Sequence, residues 1–181
     1  MTAISLSDVC LEFGTDVILN KVYSKGTFLK QAISGTVIEE KNRALTVKTC
    51  YGVLDKDIEL SYYLKKLALK NPKLAIRTVL KISMYAIKYL EKKEYAVLDS
   101  AVELTKKLGK TGASGFVNAF LRRFIKEKVE LPREREEYLS IKYSYPLFAV
   151  KKLVEDYGYE RTESIVSTEN SKNTLVFYQT N

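Results

Sequence analysis

The sequence predicts an all-α fold, a helical bundle of seven to nine helices, and three observations predict it. Apolar residues recur three and four apart through successive segments, the period of helices buried along one face. Those segments are separated by short stretches holding Gly, Pro, Asn or Ser, residues that stop and restart helices, and short connections are typical of bundles. One segment, Lys73 to Leu90, is apolar nearly all round, as the central helix of a bundle should be.

Leu6 to Tyr23 reads as helix, with Gly14-Thr15-Asp16 as an interruption where Thr15 or Asp16 is expected to cap a fresh start. Gly26 ends that helix, and Thr27 is expected to cap a short one running to about Ile33. Glu39 to Leu69 carries a long helical pattern with a bend or break expected near Gly52 and Asp55. Asn71-Pro72 stops it and starts the central helix, since proline is tolerated in a first turn. Tyr95 to Leu108 is amphipathic and ends in Lys106, Lys107 and Lys110, cations that suit a helix C-terminus.

Ser114 to Phe124 follows, with Ser114 as the expected cap. Phe116, Val117, Phe120, Leu121, Phe124 and Ile125 form its wide apolar stripe, and Asn118, Arg122 and Arg123 lie outside that stripe. Beyond Leu131-Pro132 come three shorter helices, Arg133 to Tyr143, Leu147 to Tyr157 and Glu160 to Thr168. Thr174 to Thr180 reads as a strand, and a solitary strand at a chain end is expected to belong to a further domain.

Composition narrows the chemistry. The 181 residues suffice for one domain with a proper core and a small appendage. No apolar run reaches the roughly 18–20 residues of a membrane span, and the N-terminus carries no export signature, so a cytoplasmic protein with no membrane partner is expected. There is no histidine, which removes the commonest general base and metal ligand. Cys10 and Cys50 stand in unrelated contexts and read as small buried hydrophobes. With no glycine-rich phosphate loop and no nucleophile elbow, no catalytic, metal-binding or cofactor-binding residue is assigned, and the chain alone is expected to be inert.

The net charge of +8 is unevenly spread: Lys65 to Lys93 holds nine basic residues against Glu91 alone, so the remainder is neutral. Such a confined excess points to a polyanion partner. Lys73, Arg77, Lys81, Lys88 and Lys92 fall within about 100° of arc on an ideal helix, interrupted only by Met84. With Lys106, Lys107, Lys110, Arg122 and Arg123 they are the candidate polyanion contacts; the competing reading is a solvated lysine face.

The order CYGVL (Cys50 to Leu54), SMYAIKYL (Ser83 to Leu90), YAVLDSAVELTKKLG (Tyr95 to Gly109) and GFVNAFLRRF (Gly115 to Phe124) resembles the NusB antitermination-factor fold. It resembles more closely the NusB-like N-terminal domain of Sun-type ribosomal RNA cytosine-C5 methyltransferases, over roughly Val17 to Lys128. The tail favours the second relative, because YSYPLFAVKKLVEDYG (Tyr143 to Gly158) resembles the segment through which those enzymes pass into their next domain. The family's arginine near the start of its first helix is replaced here by Thr15-Asp16.

The resemblance implies a helical RNA-binding domain over 1–130, a helical extension over 131–170 and the start of a methyltransferase region over 171–181. S-adenosylmethionine and two catalytic cysteines would belong to that further region, and neither Cys10 nor Cys50 matches them. The implied function is an RNA-binding accessory domain that positions ribosomal RNA. The alternatives are an antitermination factor binding RNA with a small ribosomal protein, and a helical protein-interaction module.

Overall fold

The computed structural model describes residues 13–168, and every regular element among them is helical. The predicted strand at Thr174 to Thr180 lies outside the described residues, as does the beginning of the Leu6 helix. Of the described residues, 13–131 form one compact unit and 132–168 a second.

The first unit contains α1 (Phe13–Lys25), α2 (Leu29–Ser34), α3 (Glu40–Asp55), α4 (Asp57–Leu67), α5 (Leu74–Lys88), α6 (Glu94–Lys107), a short 3₁₀ turn η1 (Thr111–Ala113) and α7 (Ser114–Lys126). As its pattern predicts, α5 is the central helix: residues 78–86 are buried without interruption, and α1, α3, α4, α6 and α7 all pack on it. Ile18 and Leu19 from α1, Val53 from α3, Leu60 from α4, Leu104 from α6 and Leu121 from α7 complete the core around it. Fully burying such side chains contributes about 1.5–3 kcal/mol each before entropy is counted.

The long Glu39–Leu69 pattern is two helices that divide at Lys56, so ten α-helices are present among the described residues. Gly52 does not break the chain; it lies inside α3 because Tyr85 of α5 needs the space. A Cβ at Gly52 would lie 1.9 Å from the Tyr85 hydroxyl oxygen and 2.1 Å from Cζ. Three expected caps are also corrected. α1 runs unbroken through Thr15 and Asp16, both buried in its first turn, and α2 starts after Phe28 without a side-chain cap from Thr27. Ser114 is already helical, and its hydroxyl donates back to the Thr111 carbonyl at 2.7 Å. Gly26 does end α1, with a positive φ of 62° and its N–H on the Val22 carbonyl.

On α7, Val117, Phe120 and Leu121 are buried and Phe124 and Ile125 half-buried against the core, while Phe116 stays 38% exposed. Arg123 Nη1 donates to the Leu67 carbonyl at 2.8 Å, satisfying an orphan acceptor in the last turn of α4.

The second unit has α8 (Arg135–Tyr143), α9 (Leu147–Tyr157) and α10 (Tyr159–Ser167), mutually packed around Leu139, Val150 and Val166. The Arg135 guanidinium stacks 3.9 Å from the Tyr159 ring centroid, and the Tyr143 hydroxyl donates to Glu163 at 3.2 Å.

Candidate nucleic-acid interface

The basic residues of α5 do not share one surface. Lys73, just ahead of α5, is exposed and Arg77 is half-buried; neither forms an ion pair or side-chain hydrogen bond among the described residues. Lys81, the next in the row, points inward. It is 5% exposed, and its ammonium donates to Asp57 Oδ1 at 2.6 Å. The Tyr23 hydroxyl donates to the same oxygen at 2.5 Å, and the ammonium lies 4.8 Å from the Tyr23 ring centroid. Burial, and then the Asp57 charge, raise the Tyr23 hydroxyl above its ordinary value.

Lys88 is likewise engaged. It donates to Glu59 and to the Tyr63 hydroxyl, while the Tyr63 and Tyr89 hydroxyls also donate to the buried Glu59 carboxylate. Burial works against its charge, yet the bonds to Glu59 and Tyr63 outweigh that and raise its pKa. The expectation of one continuous unpaired strip is therefore corrected: its middle is an ion-pair seam between α4 and α5, in which Lys81 is buried and Lys88 is exposed but bound to the buried Glu59. Met84, which interrupts the strip in sequence, is wholly buried.

The other candidates divide in the same way. Lys106 pairs with Glu103 at 2.8 Å, and Arg123 binds Glu127 through Nε and Nη2 at 2.8 and 3.0 Å. Arg122 Nε donates to Asn118 at 3.3 Å. Lys92 and Lys110 have no side-chain partner among the described residues, and Lys107 makes no ion pair or side-chain hydrogen bond there, though its charge acts on Glu103.

What the bundle does bring together is a cationic surface on the α4–α5 connection. Two depressions flank it, and Asn71 lines both. The first, about 460 Å³, has an apolar floor of Pro72, Ala75, Ile76, Ala113 and Phe116 under Lys70, Lys73 and Lys110, with no acidic residue in its wall. The second, about 570 Å³, is more polar and holds Lys65, Arg77 and Lys81 against Asp57, a net charge of +2. Lys65 and Lys70 make no ion pair or side-chain hydrogen bond among the described residues. They were counted in the basic segment but missed as site residues, because arc on α5 says nothing of α4. Only the antiparallel return of α5 beside α4 sets Lys65 in one wall with Arg77. Phe116 was assigned to the core, and its helical period gave no sign that it would be left half outside.

Such a surface can hold a chain of phosphates and accept a flat apolar group against Phe116. Among the described residues, no group of three or more His, Cys, Asp or Glu side chains could hold a metal ion, and no helix is long and apolar enough to cross a membrane.

Comparison with known proteins gives this geometry a family. A protein described as a probable ribosomal RNA small subunit methyltransferase B from Bacillus subtilis (strain 168) is 32% identical over 171 residues, covering 91% of this chain and 38% of that protein. A protein of the same description from Coxiella burnetii is 27% identical over 161 residues, covering 87% of this chain and 36% of that protein. The chain thus spans little more than a third of the length of these relatives. The transcription antitermination protein NusB of Syntrophomonas wolfei is 32% identical over 96 residues, which cover 50% of this chain and 72% of that protein. The sequence profile of the NusB family matches residues 15–126, from the first turn of α1 to the last residue of α7. The central α5, the α6–α7 pair packed on it and the connection that carries the cations all fall inside that match, and the chain belongs to the NusB family.

Proposed function

We propose that this chain is the RNA-binding accessory region of a ribosomal RNA methyltransferase and positions RNA for a catalytic region that uses S-adenosylmethionine. The observation that carries this reading is the set of five cations, Lys65, Lys70, Lys73, Arg77 and Lys110, which flank the α4–α5 connection without ion-pair partners among the described residues. Unpaired cations around adjoining depressions suit a phosphate backbone, whose contacts set register and orientation and carry no base sequence. Similarity over most of this chain to methyltransferase relatives supports the enzyme context. Lys107, Arg122 and Lys92 are secondary candidates; within this reading the buried Lys81 and the Glu59-bound Lys88 act as supports. In this role the chain does no chemistry itself.

The test is a salt series of RNA binding. With three to five phosphates engaged, log K against log salt should fall with a slope of roughly −2 to −4, near −0.7 per contact on a single strand. Reversing Lys73 and Arg77 to glutamate should weaken binding to all RNA sequences alike, whereas reversing Lys151 and Lys152 should not. Lys152 already pairs with Glu155 and Asp156 at 3.3 and 2.8 Å. Equal binding by both double variants would overturn the reading. The match to an antitermination protein supports a second reading, in which the domain binds RNA together with a small ribosomal protein. Coprecipitation of such a protein, with no effect of the 73/77 reversal on RNA binding, would favour it.

A further inference from the structure

The second depression contains a group that an RNA surface should avoid, a carboxylate. Asp57 is the one acidic residue in its wall, with a side chain one-third exposed. A bare aspartate there would repel an approaching phosphate and undo the attraction of Lys65 and Arg77. It is not bare. Lys81 at 2.6 Å and the Tyr23 hydroxyl at 2.5 Å both donate to its Oδ1, from α5 and α1, and the Lys81 side chain is 6% exposed, its ammonium turned onto the carboxylate.

We propose that this groove is a phosphodiester seat in which Arg77 and Lys65 meet the phosphate and the buried Lys81 sets the groove's charge by cancelling Asp57. Lys81 is a positioning residue: it holds the carboxylate turned into the α1–α4–α5 junction and leaves the rim cations unopposed. The inference rests on the RNA reading above and refines it. A single acidic side chain of a protein would also satisfy Arg77. It would leave Lys70, Lys73 and Lys110 unused across the shared Asn71, whereas an extended phosphate chain occupies both depressions.

The experiment measures fluorescence anisotropy of a labelled 12-nucleotide single-stranded RNA against the whole chain over a salt series, with circular dichroism confirming that each variant is folded. Arg77→Gln and Lys65→Gln should each weaken binding several-fold and flatten the log–log slope by about 0.7. Asp57→Asn, which keeps an acceptor for Lys81 and Tyr23, should tighten binding about three- to tenfold at low salt. Lys81→Met should weaken it although Lys81 touches no RNA, and Lys81→Met/Asp57→Asn should return it to the parent value. If Lys81→Met does not fold, Asp57→Asn alone decides the point. Salt-dependent RNA binding by the parent chain with no response to Asp57→Asn or Arg77→Gln overturns the seat and leaves the RNA reading standing. Absence of RNA binding by the parent chain overturns both. Tighter binding of a polyglutamate peptide than of RNA assigns the groove to a protein partner and overturns the seat.

Discussion

Two buried carboxylates in this bundle are treated in opposite ways. Glu59, in the α4–α5 seam, is 3% exposed and accepts hydrogen bonds from Lys88, Tyr63 and Tyr89. Asp16, in the first turn of α1, is 1% exposed, and among the described residues no side chain bonds either of its oxygens. Burial pushes Asp16 up from 3.8 to about 7, with the amides of Val17 and Asp16 offsetting only part of it. A saturated buried charge fastens two helices together; an unsatisfied one loosens the place where it sits. The α4–α5 seam, which backs the cationic surface, is therefore the firm region, and the start of α1 is the weak one.

The largest effect is expected at Asp16. The folded state keeps its proton up to about pH 7, while the unfolded chain releases it near pH 3.8, so this group's contribution to stability falls as pH rises between the two values. Asp16→Asn should abolish that fall and raise stability at pH 8 by up to about 4 kcal/mol, at 1.36 kcal/mol per pKa unit. Urea denaturation at pH 5 and pH 8 checks it, and an unchanged difference between the two pH values would mean that Asp16 is solvated. Next comes Glu59→Gln, which removes the charge facing Lys88 and turns one acceptor into a donor among three donors. A loss of about 2–3 kcal/mol is expected from thermal melts. If it instead costs as little as a surface change, the seam is not the firm region.

Gly52→Ala probes the neighbouring contact of α3 with α5. The new methyl would overlap the Tyr85 hydroxyl and ring, and displacing a buried ring should cost about 1–3 kcal/mol. Combining it with Tyr85→Leu should recover part of the loss. The smallest effect belongs to Arg123→Ala. Its pair with Glu127 is exposed, so even with the bond to Leu67 the melting temperature should fall least of the four, and the loss should shrink further at high salt.

The bundle, the central place of α5 and the buried stripe of α7 were legible because each depends on periodicity within one segment. The breaks and caps were less so. Of the two residues expected to mark the break, Asp55 adjoins the division at Lys56, whereas Gly52 reads as a breaker until Tyr85, 33 positions on, is known to lie over it. The candidate interface was half legible. Charge counting found the right segment, and Lys73, Arg77 and Lys110 do line the depressions. Arc on one helix could not separate Arg77 from Lys81, because that depends on Asp57 in another helix 24 residues away. For the same reason it could not recruit Lys65 or Lys70. The replacement of the family's arginine by Thr15-Asp16 was visible, but its consequence, a buried carboxylate with no side-chain partner among the described residues, belongs to packing.

That carboxylate also acts on the thiol of Cys50. Cys50 is wholly buried in α3, and burial first and the Asp16 charge second push its thiol up to about 12. Thiolate, the form that reacts with alkylating reagents, is thus nearly absent while the fold is closed. In a Cys10→Ser background, the rate at which iodoacetamide or a disulfide reagent modifies Cys50 becomes a clock for the parting of α1 from α3. It should run faster as pH climbs past 7 and Asp16 ionises, by more than a free thiol quickens over the same interval. The Asp16→Asn protein should keep slower time.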